Sequence, residues 1–171
     1  MAGPLIHLVC GSTGAGKTTY SLKLAEQLDS VRFSIDEWMN TLFWQDSPQP
    51  IEFAWAIERV ERCQLQIWSI AAQLGRRGLP AILDLGFTKR DSRARFADLA
   101  TEAGFGVRLH FVDVSADERW RRVSARNAGQ GDTRHLAFDI TREMFEMIEG
   151  MWEAPDAVEI AKLDGVRIES S

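Results

Sequence analysis

Eight residues near the start constrain this chain more than any others: Gly11-Ser12-Thr13-Gly14-Ala15-Gly16-Lys17-Thr18. They fit G-x-x-x-x-G-K-[ST], the pattern of a phosphate-binding loop between a strand and a helix. Leu5 to Cys10 before it is mostly apolar and of strand length. Thr19 to Leu28 after it carries Leu24, Ala25 and Leu28 at helical spacing. Glycines let a backbone curl into a nest of inward N–H groups, and a helix opening near Lys17 adds its positive end. Residues Gly11 to Thr18, with Thr19, are therefore the expected nucleotide-binding set. Lys17 is expected on the β- and γ-phosphates and the Thr18 hydroxyl on Mg2+. The dinucleotide pattern G-x-G-x-x-G is not met, because the glycines here run G-x-x-G-x-G.

The remaining pattern alternates strands and helices. Strands are expected over 31–35, 80–85 and 107–114, with a fifth at 157–160. Helices are expected from 37 to about 43, 51–74, 91–103, 116 to about 127 and 139–152. The long helix has a stripe of Ala56, Val60, Cys63, Ile67, Ile70 and Leu74. Ser115-Ala116-Asp117-Glu118 reads as a capping box. Alternation of this kind calls for a parallel sheet with right-handed crossovers and ligands at the carboxyl ends of the strands. The loop, Asp36, Asp84 and Asp113 all fall at such ends.

With 171 residues, one domain over 1–171 is expected. The net charge of −5 implies no broad basic surface, so nucleic acid is possible as a partner but not favoured. Cys10 and Cys63 form no C-x-x-C and read as reduced core thiols. His7, His110 and His135 share no metal spacing. No apolar run approaches membrane-spanning length and no signal peptide opens the chain, so no membrane partner and a cytoplasmic location are expected.

Asp36 follows the second strand, where a carboxylate can accept or orient the proton of an attacking hydroxyl; the competing role is a helix N-cap. Asp84 ends an apolar strand, as a metal-holding aspartate does, directly or through water, with structural capping as the alternative. Arg119, Arg122 and Arg126 share one helix face, with Arg126 the preferred finger over a transferring phosphate; a solvated basic face is the alternative. Trp55, Arg59 and Arg62 form a stripe which, with Trp38, Phe43 and Trp44, suits an acceptor pocket or packs in the core. Thr88-Lys89-Arg90-Asp91 mimics a guanine-reading pattern, but it follows the third strand too early, and Asp91 reads better as a helix N-cap.

The loop, Asp36, the run Leu83 to Thr88 and the segment Arg122-Val123-Ser124-Ala125-Arg126-Asn127 resemble a group of P-loop kinases. That group includes polynucleotide 5′-kinases, chloramphenicol phosphotransferase and zeta toxins. The resemblance implies a three-layer αβα P-loop NTPase fold, adenylate-kinase-like. Its parallel sheet has about five strands and a small lid near 119–135. It implies ATP·Mg2+ as donor, Asp36 as general base, Arg122 and Arg126 as lid arginines, and Arg90 and Arg93 as phosphate or acceptor contacts. The expected activity is transfer of the γ-phosphate of ATP to a hydroxyl of an unidentified small molecule or nucleotide. A polynucleotide 5′-hydroxyl kinase and an ATP-binding regulatory NTPase without an acceptor remain the alternatives.

Overall fold

A computed structural model describes residues 5–130 and 139–169. In chain order the elements are β1 (Leu5–Cys10), α1 (Lys17–Leu28), β2 (Val31–Ser34), α2 (Ile35–Leu42) and α3 (Phe53–Gly75). Then come β3 (Ala81–Asp84), α4 (Arg90–Glu102), β4 (Gly106–Asp113) and α5 (Ala116–Asn127). The described chain ends with α6 (Arg142–Met151), α7 (Ala157–Lys162) and β5 (Val166–Glu169). A 3₁₀ turn spans Trp44–Asp46. The five strands form one sheet in the order β2-β3-β1-β4-β5, and every pairing is parallel. The expected parallel α/β sheet is thus present, with the loop-bearing strand in its centre.

Burial on both faces explains why β1 and β3 read as nearly unbroken apolar runs. On one face Ile6, Leu8 and Leu83 meet Cys63, Ile67 and Ala71 of α3 and Phe96 and Ala100 of α4. On the other, Val9, Ile82 and Val112 meet Leu24 of α1 and Ala15 of the loop. A smaller cluster of Val123, Ile140 and Phe145 joins α5 to α6. Both cysteines are buried, and burial pushes the Cys10 thiol up to about 12, which keeps it protonated.

Several local expectations are corrected. Residues 157–160 are not a strand: Asp156 caps α7 by accepting from the Glu159 N–H, and β5 follows at 166–169. Ala157 and Val158 are exposed on that helix, and Ile160 packs against the core. Ser34, not Asp36, caps α2, accepting from the Glu37 N–H at 3.3 Å, so Asp36 lies inside the first turn. Lys89, not Asp91, is the N-cap position of α4. The capping box of α5 forms as read, with Ser115 Oγ accepting from the Glu118 N–H. On α5, however, Arg119 is buried and Ala116 is exposed. Residues 131–135 of the expected lid lie outside the described residues. The ends of that connection are tied by Asn127, whose side chain donates to the Ile140 carbonyl at 2.8 Å and accepts from its N–H at 3.3 Å.

Two of the three histidines are brought together, and His135 lies outside the described residues. His7 of β1 and His110 of β4 are buried with Nδ1 and Nε2 2.8 Å apart, and the Tyr20 hydroxyl of α1 lies 2.7 Å from His110 Nδ1. Burial first, then the Arg108 charge, lowers His7 to about 4; burial, His7 and Arg108 lower His110 to about 4. Both rings are therefore neutral in the folded chain and charge more readily in the unfolded one. Their contribution to stability is present above the unfolded pKa of about 6.5 and is lost as pH falls towards about 4. The denaturant midpoint should drop between about pH 7 and about pH 5, a window above the range in which carboxylates titrate. In a His7→Gln/His110→Gln variant the drop should be flattened; an unchanged drop would assign it to other groups.

Candidate phosphate-binding site

The loop from Gly11 to Gly16 leaves β1 and enters α1. Gly14 and Gly16 have φ of 81° and 92°, the left-handed region that a Cβ disfavours. At Gly14 the contact is also close: a Cβ would lie 2.6 Å from the Arg119 carbonyl oxygen and 3.0 Å from Val123. The loop is thus pressed onto α5, the helix that carries Arg119, Arg122 and Arg126. Within it the Ala15 N–H donates to the Ser12 carbonyl at 3.1 Å, and Lys17 Nζ donates to the same carbonyl at 3.3 Å. Lys17 therefore curls back over its own loop. Thr18 and Thr19 occupy the first turn of α1.

Of the four arginines of α5, the three that share the expected face have separate tasks. Arg119 donates Nη1 and Nη2 to the two carboxylate oxygens of Glu149 on α6, at 2.7 and 2.8 Å, and Nε to the Val114 carbonyl at 2.9 Å. Ser12 Oγ donates to the same Glu149 at 3.1 Å. The Arg119 hydrogen bonds hold the Glu149 carboxyl below its usual range. Arg119 is thereby committed to tying α5, α6 and the loop together. Arg122 reaches the loop itself, donating Nη1 to the Ala15 carbonyl at 3.3 Å and Nε to Glu118 at 2.8 Å.

Arg126 is half-buried, and its Nη2 is buried with no hydrogen-bond partner among the described residues. Burial lowers its pKa, opposed by the charges of Asp36 and then Asp139. The start of α2 and the end of α5 thus bring Asp36 and Arg126 within electrostatic reach. Asp36 itself is exposed. A buried guanidinium nitrogen without an acceptor is costly unless something with lone pairs comes to it, and phosphate oxygens have the right chemistry.

Asp84 is 5% exposed, and its Oδ2 accepts from Arg32 Nη2 at 2.8 Å and from Ser21 Oγ at 3.1 Å. Arg32 also donates Nε to Ser21 Oγ at 2.7 Å and Nη1 to Glu37 at 2.6 Å. Burial pulls the Arg32 guanidinium down, but the Glu37 hydrogen bond and the Asp84 charge and hydrogen bond outweigh it, and its pKa ends above the arginine norm. Among the described residues no group of three or more His, Cys, Asp or Glu is arranged to hold a metal ion. The two expected metal ligands, Thr18 and Asp84, are linked through Ser21, whose hydroxyl is 3.1 Å from the Thr18 carbonyl and from Asp84 Oδ2. So sparse a set fits Mg2+ arriving with a nucleotide, which needs few protein ligands.

The remaining candidates are dispersed. Arg59 stacks 4.2 Å over the Trp55 ring and 5.8 Å from the Phe43 ring centre. Arg62 is exposed and paired with Glu58 one turn away. Arg90 donates Nη1 to Asp156 at 2.9 Å. Arg93 is wholly buried, donating to both carboxylate oxygens of Glu159 at 2.6 and 3.0 Å and to the Phe87 carbonyl at 2.9 Å. That corrects the expectation for Arg93: its guanidinium is wholly buried, tying α4 to α7 through Glu159, and is closed to an incoming phosphate. Arg90 is likewise tied to the same C-terminal segment.

Sequence reading missed Arg32 and Glu149. The signal for Arg32 was Asp84 itself, since a carboxylate ending a fully buried strand requires a cation. Nothing in spacing said which. Glu149 gave no signal, because only the folded chain brings α6 to the loop.

The fold recurs widely among solved structures. A protein of Chloroflexus aurantiacus J-10-fl described as a candidate kinase aligns with a TM-score of 0.70 at 20% identity, covering 99% of this chain and 86% of that one. The APS kinase CysC of Mycobacterium tuberculosis, solved with AMPPNP and APS, aligns with a TM-score of 0.62 at 16% identity, covering 99% and 90%. Kti12 of Chaetomium thermophilum, solved with ADP-AlF3, gives 0.66 at 15%, covering 98% and 89%. At these identities the likeness is one of fold. No curated protein matches the sequence. A family model does: residues 6–149, well over half of the chain, match AAA_33, the AAA domain, and the chain therefore belongs to that family.

Proposed function

We propose that this chain binds ATP·Mg2+ and transfers the γ-phosphate to a hydroxyl group of a small molecule or nucleotide. The observation that carries the reading is that Lys17 and Arg122 both donate to carbonyls of a glycine nest, while Arg126, one turn beyond Arg122, feels the Asp36 charge and has an Nη2 without a partner among the described residues. A loop that only capped a helix would need neither the arginines nor the carboxylate. The AMPPNP and ADP-AlF3 bound by two proteins of like fold support the nucleotide part.

In this reading the loop amides and Lys17 hold the phosphates in place. Thr18, with Asp84 acting through water, would hold Mg2+, which supplies charge neutralisation on the phosphate oxygens. Asp36 accepts the proton of the acceptor hydroxyl as its oxygen attacks the γ-phosphorus, and the bond from that phosphorus to the β,γ-bridging oxygen breaks to release ADP. Arg126 and Arg122 meet the negative charge that spreads over the transferring group. The Trp55, Arg59 and Phe43 stack, on the α2–α3 side of the site, is the proposed wall of the acceptor pocket. Its aromatic surface and single guanidinium suit a small organic acceptor. No helix among the described residues is long and apolar enough to cross a membrane.

The direct test supplies ATP with a library of hydroxyl acceptors and follows phosphate transfer. Transfer to one class of small molecule or nucleotide is expected. Transfer only to RNA or DNA 5′ ends would favour the polynucleotide reading. Binding of ATP with no transfer to any acceptor would favour a regulatory NTPase.

Two substitutions sharpen this. Asp36→Asn cannot accept a proton, and Ser34, not Asp36, caps α2, so stability should hold. Phosphotransfer should fall by roughly 10²–10⁴ with ATP affinity by calorimetry near wild type. A wild-type rate would remove Asp36 as the base, and loss of ATP binding would move it to the metal site. Arg126→Ala should lower kcat by ~10³ with little change in the KM for ATP. A wild-type kcat at saturating acceptor would show that Arg126 does not act on the transition state.

A further inference from the structure

We propose that Arg32 is the positioning residue of this site, setting the carboxylates of β3 and α2 against the first turns of α1 through three separate donors. The proposal rests on the kinase reading above.

Arg32 sits on β2 with its side chain 6% exposed, and each of its three guanidinium nitrogens serves a different element. Nε binds Ser21 of α1, Nη1 binds Glu37 of α2, and Nη2 binds Asp84 at the end of β3. These are the elements that carry Thr18, Asp36 and the candidate metal carboxylate. Ser21 lies one turn beyond Thr18, and its hydroxyl is 3.1 Å from both the Thr18 carbonyl and Asp84 Oδ2. Glu37 follows Asp36, and its own N–H is held by Ser34. Fixing Glu37 at both backbone and side chain fixes the turn from which Asp36 projects.

The arrangement also determines which oxygen of Asp84 remains for a metal-bound water. Arg32 and Ser21 converge on Oδ2, which leaves Oδ1. The guanidinium offsets the Asp84 charge, so the carboxylate can be buried beside α1 without a resident metal. Stability alone accounts poorly for such a group, because a buried ion pair is often no more stable than an apolar replacement. A rigid fork with three acceptors on three elements accounts for it as a geometric device, and lysine, with one nitrogen, cannot reproduce it.

The test compares wild type, Arg32→Lys and Glu37→Gln. Binding of ADP is measured by calorimetry across a Mg2+ titration, with and without aluminium fluoride to mimic the transferring phosphate. Wild type should bind Mg·ADP and tighten with aluminium fluoride, as expected for a site built for a transition state. Arg32→Lys should bind Mg·ADP within about threefold of wild type, since the loop is untouched. It should lose at least about tenfold of the tightening and need several-fold more Mg2+, as a displacement of about 1 Å costs ~10²-fold in oriented catalysis. Glu37→Gln should lose part of the tightening while its Mg2+ requirement stays at the wild-type value, because only the α2 arm is cut.

An Arg32→Lys protein that is merely less stable, with wild-type tightening and Mg2+ requirement, would overturn the proposal. If Arg32→Lys does not fold, Glu37→Gln decides: wild-type tightening there overturns it equally. Failure of the kinase reading looks different, because wild type itself would then bind no Mg·ADP, and the role of Arg32 would fall with that reading. Should wild type bind Mg·ADP without tightening, phosphotransfer is contradicted, and the Mg2+ titration alone decides on Arg32.

Discussion

Pressing the Gly11–Gly16 loop against α5 is the contact on which the rest of the site depends. A Cβ at Gly14 would overlap the Arg119 carbonyl, so loop and helix are separated by no more than backbone van der Waals contact. The closeness delivers Arg122 to the Ala15 carbonyl and sets the register of Arg126 one turn further on. It is held from the other side by Glu149, which takes both the Arg119 fork and the Ser12 hydroxyl. The strap joins α6, α5 and the loop at a point where a loose loop would lose its curvature.

Charge is distributed over the site with little redundancy. Three arginines are consumed by carboxylates: Arg93 by Glu159, Arg119 by Glu149, and Arg32 by Asp84 and Glu37. These three buried charges are therefore paired, as the cost of burying an isolated ion demands. Near the loop, Lys17 donates to the Ser12 carbonyl, Arg122 pairs with Glu118 and donates to the Ala15 carbonyl, and Arg126 Nη2 has no acceptor among the described residues. Donors that meet loop carbonyls, or no acceptor among the described residues, are the ones that incoming phosphate oxygens can recruit without breaking the fold. The arginines held between carboxylates of different elements make a scaffold, and the cations at the loop make the candidate chemistry.

Much of the fold was legible because its signals are local. The alternation of apolar runs with helical stripes predicts the parallel sheet, and the stripe from Val60 to Leu74 faces the core as its spacing requires. Capping chemistry was legible where Ser115 and Glu118 stand in sequence, and misleading where Asp36 and Asp91 competed with Ser34 and Lys89 for the cap position. The apolar run 157–160 was too short to distinguish strand from helix, and the Asp156 cap decided it. Contacts between distant segments were not legible. The His7, His110 and Tyr20 chain, the Arg32 fork and the Glu149 strap each join residues that only topology brings together. Arg93 shows the converse: a position read as a phosphate contact from resemblance is a buried anchor for α7.

The central claim is that the Gly11–Thr18 loop seats the phosphates of ATP with Lys17 as its cation. Calorimetric titration of ATP·Mg2+ into wild type and Lys17→Ala, with thermal unfolding of both measured in parallel, tests it directly. The account predicts measurable binding by wild type, loss of binding in Lys17→Ala, and nearly equal melting temperatures for the two proteins without nucleotide. Equal ATP affinity in a folded Lys17→Ala protein would contradict the account.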